Sequence, residues 1–458
     1  MTEQYDAAII GTGQAGPSLA DRLTKAGMKT AIIERGRYGG TCVNTGCMPT
    51  KTLVASAYAA RIAARAGEYG ITIGGPIGID MKKVKARKDA VSGTASQNVE
   101  KWLRSMPHST IYRGHAQLLS PNGIAINDER ISAERIFINV GGRAVVPPIP
   151  GLQTVPYLTN ETIMEIDAVP RRLVVLGGSY IGLEFAQIFR RFGSEVVVVE
   201  AAQRLVPRED DDISDAIKAI LEAEGIEIRL STRCTKATAE KDGTRLHLET
   251  PDGTGHVDGS HVLLAIGRRP NTDDLGLSAA GVAVDKNGYI VTDEVLKTNV
   301  ASIWALGDCN GRGAFTHTAY NDFEIVAANL FDHDPRRASD RILTYGLFID
   351  PPLGRVGLTE REVRASGRPV LMGLRPMSRV SRAVEKGETQ GFMKILVDGE
   401  THKILGAAIL GTSGDEAVQC ITAIMSADAP YTVLQRTVLI HPTVSELLPT
   451  VLGSLTSL

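Results

Sequence analysis

The stretch Asp6-Ala7-Ala8-Ile9-Ile10-Gly11-Thr12-Gly13-Gln14-Ala15-Gly16 decides how this chain folds. A short apolar run feeds into glycines spaced G-x-G-x-x-G, and a helical segment follows from Ser18 to Ala26. A second apolar run, Thr30 to Ile33, ends on Glu34, 23 positions beyond Gly11. Strand, glycine turn, helix, strand and acidic terminator together make the dinucleotide-binding fingerprint in its structural context. Gly11 permits the tight turn, Gly13 lets backbone approach a pyrophosphate, and Gly16 allows helix to pack closely on strand. The N–H groups of the helix start face the phosphates, and Glu34 is placed to accept from ribose hydroxyls.

The arrangement recurs. Leu173 to Leu176 reads as a strand, and Gly177-Gly178-Ser179-Tyr180-Ile181-Gly182 opens a helix through Leu183-Glu184-Phe185-Ala186. The next strand, Glu195 to Val199, ends on Glu200, again 23 positions beyond the first glycine of the turn. Ser179 stands where the middle glycine would be, small enough to keep the approach open. Two fingerprints of matching internal spacing imply two dinucleotide sites, one nucleotide passing electrons to the other. Each is followed by a strand ending in glycine and basic residues: Ile136 to Gly142 with Arg143, and Val262 to Gly267 with Arg268 and Arg269. A further strand, Ser302 to Leu306, ends in Gly307-Asp308. Proline and glycine between Pro147 and Pro156 mark a crossover between domains, and the Asn271 region marks the return.

From about Tyr345 the pattern changes. A strand at Gly346 to Ile349 and a helix start at Thr359 to Glu362 precede extended runs at Gly391 to Val397 and Ile404 to Leu410. Helical segments follow at Asp415 to Ser426 and Tyr431 to Thr437, with no phosphate loop. The fold class is therefore α/β: two Rossmann-like three-layer domains, then an α+β domain that makes an interface.

Bulk properties exclude several function classes. At 458 residues there is room for about three domains of roughly 150 residues each. A formal net charge of −2 favours neither a nucleic-acid surface nor an anionic membrane. No apolar run reaches the roughly 18 residues of a membrane helix. The N-terminus lacks a basic leader and enters a strand at once, so a cytoplasmic address is expected. Five cysteines are too sparse for a secreted disulfide framework. Cys234, Cys309 and Cys420 lie far apart and read as small buried hydrophobes.

Cys42 and Cys47 differ. They stand five positions apart in Gly39-Gly40-Thr41-Cys42-Val43-Asn44-Thr45-Gly46-Cys47-Met48-Pro49-Thr50-Lys51, a stretch expected to open a helix. There the positive end of the helix dipole favours thiolate. Half of a zinc site and inert core cysteines are the alternatives to a redox pair. Zinc would need further Cys or His ligands at suitable spacing, and none is nearby in sequence.

From Gly11 to Glu446 the chain resembles the flavin-dependent pyridine nucleotide–disulfide oxidoreductases, such as glutathione reductase, dihydrolipoamide dehydrogenase and mercuric reductase. The Gly40-to-Lys51 motif is the most specific part of the match. The resemblance implies a homodimer with an FAD domain (1–149 and 272–340), an NAD(P) domain (150–271) and an interface domain (341–458). It implies that Gly40 and Thr41 approach FAD, that Cys47 faces the flavin, and that Cys42 meets substrate. Lys51 would sit near the flavin and pair with Glu184. Tyr180 would be an aromatic gate that swings aside for nicotinamide, and Gly267 would line the same coenzyme site. Asp308 would bind the flavin's ribitol, and Thr316 would start a helix aimed at the flavin; His317 would either lie near it or cap that helix. His441 and Glu446 match a His-Pro-Thr-x-x-Glu motif whose histidine serves the interchange thiol of the other subunit.

The wording of Gly39 to Lys51, Phe315 to Asp322, Glu200-Ala201-Ala202 and Pro207 to Asp210 is most similar to mercuric reductases and to copper-reducing, reactive-chlorine-resistance flavoproteins. The final residues, Gly453 to Leu458, lack the cysteine pair with which mercuric reductases hand Hg(II) inward. The expected acceptor is a small-molecule disulfide or a thiophilic metal ion, with no resident metal. A lipoamide dehydrogenase-like electron-transfer subunit and a flavin NAD(P)H oxidase or quinone reductase are the alternatives. The coenzyme is NADH or NADPH: Glu200 favours NADH, because it accepts from a 2′-hydroxyl and repels a 2′-phosphate, while Arg204 and Arg208 close behind it would accommodate NADPH.

Overall fold

The computed structural model describes residues 3–458. Its first layer is a seven-stranded sheet around Glu3–Ile10, a strand whose inner residues are fully buried. Thr30–Glu34 and Glu129–Ile138 flank it in parallel, Ser109–Arg113 extends one side and Ile303–Ala305 pairs parallel with Glu129–Ile138. The runs of Ile, Val and Ala in these strands suit a parallel sheet covered on both faces. The Ala15–Lys25 helix packs on one face with the Thr316–Ala327 helix beside it, through Leu19, Leu23, Ile325 and Val326.

A second parallel sheet runs in the order Glu227–Arg229, Glu195–Val199, Arg172–Leu176, His261–Leu264. A three-stranded antiparallel sheet over 233–259 packs beside it. The chain enters and leaves this unit side by side, where Gly142–Ala144 pairs antiparallel with Arg268–Pro270. A third sheet of six antiparallel strands begins at Thr344–Leu347 and has Leu353–Gly357, Ile404–Leu410 and Phe392–Asp398 at its centre. The Gly414–Ser426 helix covers it.

One hydrophobic core joins all three regions. Leu53 and Ala57 of the Cys47–Ala64 helix pack with Leu183, Phe185 and Phe189 of the Tyr180–Phe192 helix, and with Leu347, Leu353 and Leu410 of the third sheet. The cysteine-bearing helix is thereby fixed against the helix that follows the second glycine turn.

Three elements differ from the sequence expectation. The third strand of the first unit stops at Ile138, because Gly141 turns the backbone (φ 64°) and Gly142 pairs elsewhere. The strand expected at Gly346 to Ile349 is Thr344–Leu347; Phe348 leaves the ladder and donates its N–H to the Glu184 carboxylate at 3.0 Å. The cysteine stretch forms two helices rather than one, Gly40–Asn44 and Cys47–Ala64. Cys42 therefore lies within the short helix, while Cys47 is the first residue of the long one.

Candidate active site

The two glycine turns are built alike. Gly11 (φ 101°) and Gly177 (φ 111°) have left-handed backbones, and a Cβ on either would strike a carbonyl oxygen, of Asn139 at 2.3 Å and of Ala265 at 2.4 Å. Glu34 accepts from the Thr12 N–H at 2.9 Å, the Thr12 hydroxyl at 2.6 Å and the Gly36 N–H at 2.7 Å. Glu200 accepts from the N–H groups of Gly178 at 2.6 Å and Ala202 at 2.7 Å. Each carboxylate thus braces its own turn, with acceptor sites left over for a ligand hydroxyl.

A cavity of about 940 Å³ runs from the Gly11–Gln14 turn past Asp308 and Thr316 to Cys42, Cys47 and Lys51. Gly40 (φ 61°) closes against the turn: a Cβ there would lie 2.7 Å from the Gly13 Cα. Asn139 is buried and its Nδ2 has no partner, although it sits 3.3 Å from where a Gly13 Cβ would be. A buried amide donor left free beside a glycine turn is what a polar ligand would satisfy. The elongated shape, the fingerprint and the free Asn139 donor fit a dinucleotide such as FAD. A second cavity of about 1720 Å³ spans Gly177, Ser179, Glu200 and Gly267. Gly16 and Gly182 lie behind their turns, where a Cβ would strike the Gly11 oxygen at 2.4 Å and the Gly177 oxygen at 2.1 Å. They set helix-on-strand packing.

Cys47 is exposed to the first cavity, with its Sγ 3.1 Å from the Thr316 hydroxyl. Both cysteines are free thiols and share a hydrogen bond. That bond, then Thr316 and the Lys51 charge, lower the Cys47 pKa to about 6, against the opposing effect of burial. The same bond, with burial, raises Cys42, which keeps the proton. The dipole of the 18-residue Cys47–Ala64 helix favours thiolate at Cys47 as well. Thr316 is also the first residue of its own helix.

Lys51 and Glu184 meet, Nζ lying 2.8 Å and 3.0 Å from the two carboxylate oxygens. Glu184 is buried, and Phe348 lies under Lys51 at 4.5 Å from the ring centroid. Asp308 is half-buried, with Arg268 Nε at 3.8 Å, and desolvation pushes its carboxyl up. Thr41 lines the first cavity beside Cys42. His317 Nε2 lies 2.6 Å from the Thr344 carbonyl oxygen, and its ring stacks on Phe315. Tyr180 lines both cavities.

His441 and Glu446 pair at 2.8 Å through Nδ1, but the imidazole is 74% exposed and lines neither cavity. Val438 and Ile440 beside it are 96% and 79% exposed. The structure therefore brings together every nominated residue of the two cavities within one chain, and leaves this pair apart on an apolar surface. Asn139, Phe348 and Tyr345 were missed by sequence reasoning. Asn139 directly follows a third parallel strand beside a glycine turn, a signal that was available; the other two reach the site only through the third sheet. Among the described residues no helix is long and apolar enough to cross a membrane, and no group of three or more His, Cys, Asp or Glu is placed to hold a metal ion.

Two glycine-turn nucleotide folds flanking a close thiol pair define a two-nucleotide thiol oxidoreductase. Residues 5–322 match the pyridine nucleotide-disulphide oxidoreductase family, and 344–452 match that family's dimerisation domain. The chain belongs to the pyridine nucleotide-disulphide oxidoreductases, which are FAD-binding, pyridine nucleotide-dependent enzymes. It is 36% identical to the probable pyridine nucleotide-disulfide oxidoreductase RclA of Escherichia coli K12, covering 97% of each chain. It is 32% identical to mercuric reductase of Staphylococcus aureus over 91% of this chain and 76% of the relative. Dihydrolipoyl dehydrogenase of Chlamydia muridarum is also 32% identical, over 97% and 96%. Among solved structures, a Cu(II) complex of the HOCl-induced flavoprotein disulfide reductase RclA from E. coli superposes with a TM-score of 0.89 at 35% identity, covering 97% and 98%.

Proposed function

We propose that the protein is an NADH-dependent reductase that passes electrons through a Cys42–Cys47 disulfide to a small-molecule disulfide or a thiophilic metal ion, working as a cytoplasmic homodimer. The observation that carries this is the unequal thiol pair: Cys47 favoured as thiolate beside Thr316 and Lys51, Cys42 holding the proton. Residues 1–149 and 272–340 would hold FAD, 150–271 the coenzyme, and 341–458 the subunit interface. Gly11, Gly13, Glu34, Gly40, Thr41, Lys51, Asp308 and Thr316 face FAD in this reading, and Gly177, Ser179, Tyr180, Glu200 and Gly267 face the coenzyme. When bound, FAD supplies a two-electron relay between coenzyme and disulfide.

Two electrons delivered at Cys47 break the Cys42–Cys47 bond. Cys47 leaves as thiolate, stabilised by Thr316, Lys51 and the helix start, and Cys42 takes up a proton. His441 of a second copy, oriented by Glu446, removes that proton, because only the Cys42 thiolate attacks. With a disulfide acceptor, Cys42 forms a mixed disulfide and the first thiol departs with the proton returned from His441. Cys47 then attacks the Cys42 sulfur, re-forming the pair and releasing the second sulfur as a thiolate, which takes its proton from solvent. With a metal acceptor, the two thiolates bind the cation. The mercuric reductases and the Cu(II)-bound relative support a thiophilic cation as an acceptor class. Glu200, fixed at its strand end, favours NADH.

The test is a panel of NADH and NADPH oxidation rates with Cu(II), Hg(II), glutathione disulfide, lipoamide and quinones. Turnover is expected with a disulfide or thiophilic cation, falling on the order of 10³-fold in Cys47→Ser together with loss of the long-wavelength absorbance of the two-electron-reduced protein. Full quinone turnover surviving in Cys47→Ser, with no activity on disulfides or metals, would replace this reading by a quinone reductase. A strong NADPH preference would overturn the coenzyme assignment.

A further inference from the structure

The wall shared by the two cavities is aromatic, and Tyr345 beside it is anchored on Glu209, which lines neither. Tyr180 follows the second glycine turn, and its ring meets Tyr345 edge-on (5.6 Å, 84°) and Phe315 edge-on (6.1 Å, 88°). Phe315 and Tyr345 are themselves parallel, 5.6 Å apart at 10°. Tyr180 therefore rests its edge against a two-ring platform supplied by different parts of the chain.

Tyr345 is not free to follow Tyr180. Its hydroxyl donates to Glu209 Oε1 at 2.5 Å, and Glu209 Oε2 accepts from Arg355 Nε at 3.1 Å and Nη2 at 2.5 Å. Arg355 Nη2 also bonds Asp210 at 3.0 Å, and Lys394 ties Asp210, Asp212 and Glu360 together. Glu209 and Arg355 are each 1% exposed. Arg355 Nη1 alone lacks a partner; breaking up this buried charge cluster is costly, because each ion would be left uncompensated. The platform is rigid, whereas Tyr180 is held by ring contacts at the junction of two open spaces.

We propose that Tyr345, fixed by Glu209 and Arg355, is a positioning residue: the seat on which Tyr180 closes the passage between the cavities. It sets how readily the nicotinamide end of the coenzyme displaces that ring. This rests on the reading of Tyr180 as a gate. The closed position competes with nicotinamide, so apparent coenzyme affinity is the intrinsic affinity scaled by the fraction of open gate. Weakening the seat opens the gate and tightens binding of any ligand that carries nicotinamide. A ligand that ends at the ribose gains nothing.

The experiment is titration calorimetry of the flavin-loaded protein with NAD⁺ and with ADP-ribose, which lacks nicotinamide. Tyr345→Leu removes the edge contact and is expected to tighten NAD⁺ by about three- to ten-fold, leaving ADP-ribose unchanged. Tyr345→Phe keeps the ring but loses the Glu209 tether and is expected to tighten NAD⁺ by about two-fold; it carries the same test if the leucine variant does not fold. A parallel shift of both ligands would mean a merely structural role and overturn the proposal. If Tyr180→Ala alters NAD⁺ affinity while neither Tyr345 variant does, the seat is wrong and the gate stands. If Tyr180→Ala leaves NAD⁺ unchanged, the gate reading falls and the seat with it.

Discussion

The Gly11 and Gly177 turns are near copies in backbone and bracing, yet they stand in different surroundings. Both first glycines face a carbonyl oxygen, and both terminal glutamates hold N–H groups of their own turn. The first turn is closed over by Gly40, packed 2.7 Å from Gly13 as measured from an added Cβ, and by the cysteine helix beyond it. The second is closed instead at Gly178, by Leu205 and by the Val206 N–H, which donates to the Gly178 carbonyl at 2.9 Å, and the adjoining cavity is the larger, about 1720 Å³ against about 940 Å³. The difference teaches that a single supersecondary design can stand in two surroundings, which in the proposed function suit a retained and an exchanged nucleotide, depending on what the rest of the chain lays over it.

The sharpest way to break that contrast concerns completeness. The second cavity draws all its nominated residues from one chain, whereas in the proposed function the first, although His317 lines it, takes the base for Cys42 from His441 of a second copy, since His441 is exposed and lines neither cavity. His441→Ala is expected to lower turnover by about 10²-fold while leaving NAD⁺ affinity unchanged. Mixed dimers of His441→Ala and Cys42→Ser chains should regain part of that activity. Failure to regain any would place the base within one chain and erase the distinction.

Cover comes next. Gly40→Ala forces a methyl into the Gly13 backbone at a left-handed position, so the purified protein should lose most of its flavin, read from its absorbance per chain. Ser179→Ala, at the second turn, should retain the flavin and shift the KM for NADH by less than about two-fold. Equal losses in the two variants would show that the turns are not differently enclosed.

The two regions are tied by Lys51 and Glu184. Glu184→Gln leaves the ammonium beside a neutral amide; because Lys51 is 31% exposed, the expected loss is about 2 kcal/mol rather than that of a fully buried pair. Calorimetric unfolding should show it as a drop of a few degrees.

The smallest test is spectroscopic. A Cys47 pKa lowered to about 6 means thiolate above that pH, so the long-wavelength absorbance of the reduced protein should persist at neutrality and fade as pH falls through about 6. A midpoint near the ordinary thiol value, about 8.5, would show that the mutual hydrogen bond and Lys51 do not polarise the pair.

Much of this site was legible from the chain alone because its chemistry is local. The glycine spacing, the acidic terminators 23 residues on and the cysteines five apart are each set by the reach of one turn or one strand–helix–strand unit. By itself the sequence determined two nucleotide folds, a thiol pair and the class of electron transfer. Only the tertiary structure decided which thiol keeps the proton, because that depends first on how the two sulfurs meet and are buried once the stretch separates into two helices, with Thr316, 269 positions from Cys47, against them. It alone set Asn139 against Gly13, took Phe348 out of its strand to meet Glu184, and anchored Tyr345 on Glu209. Those contacts join segments with no periodic relation in sequence, and they arise from one core packing three regions together.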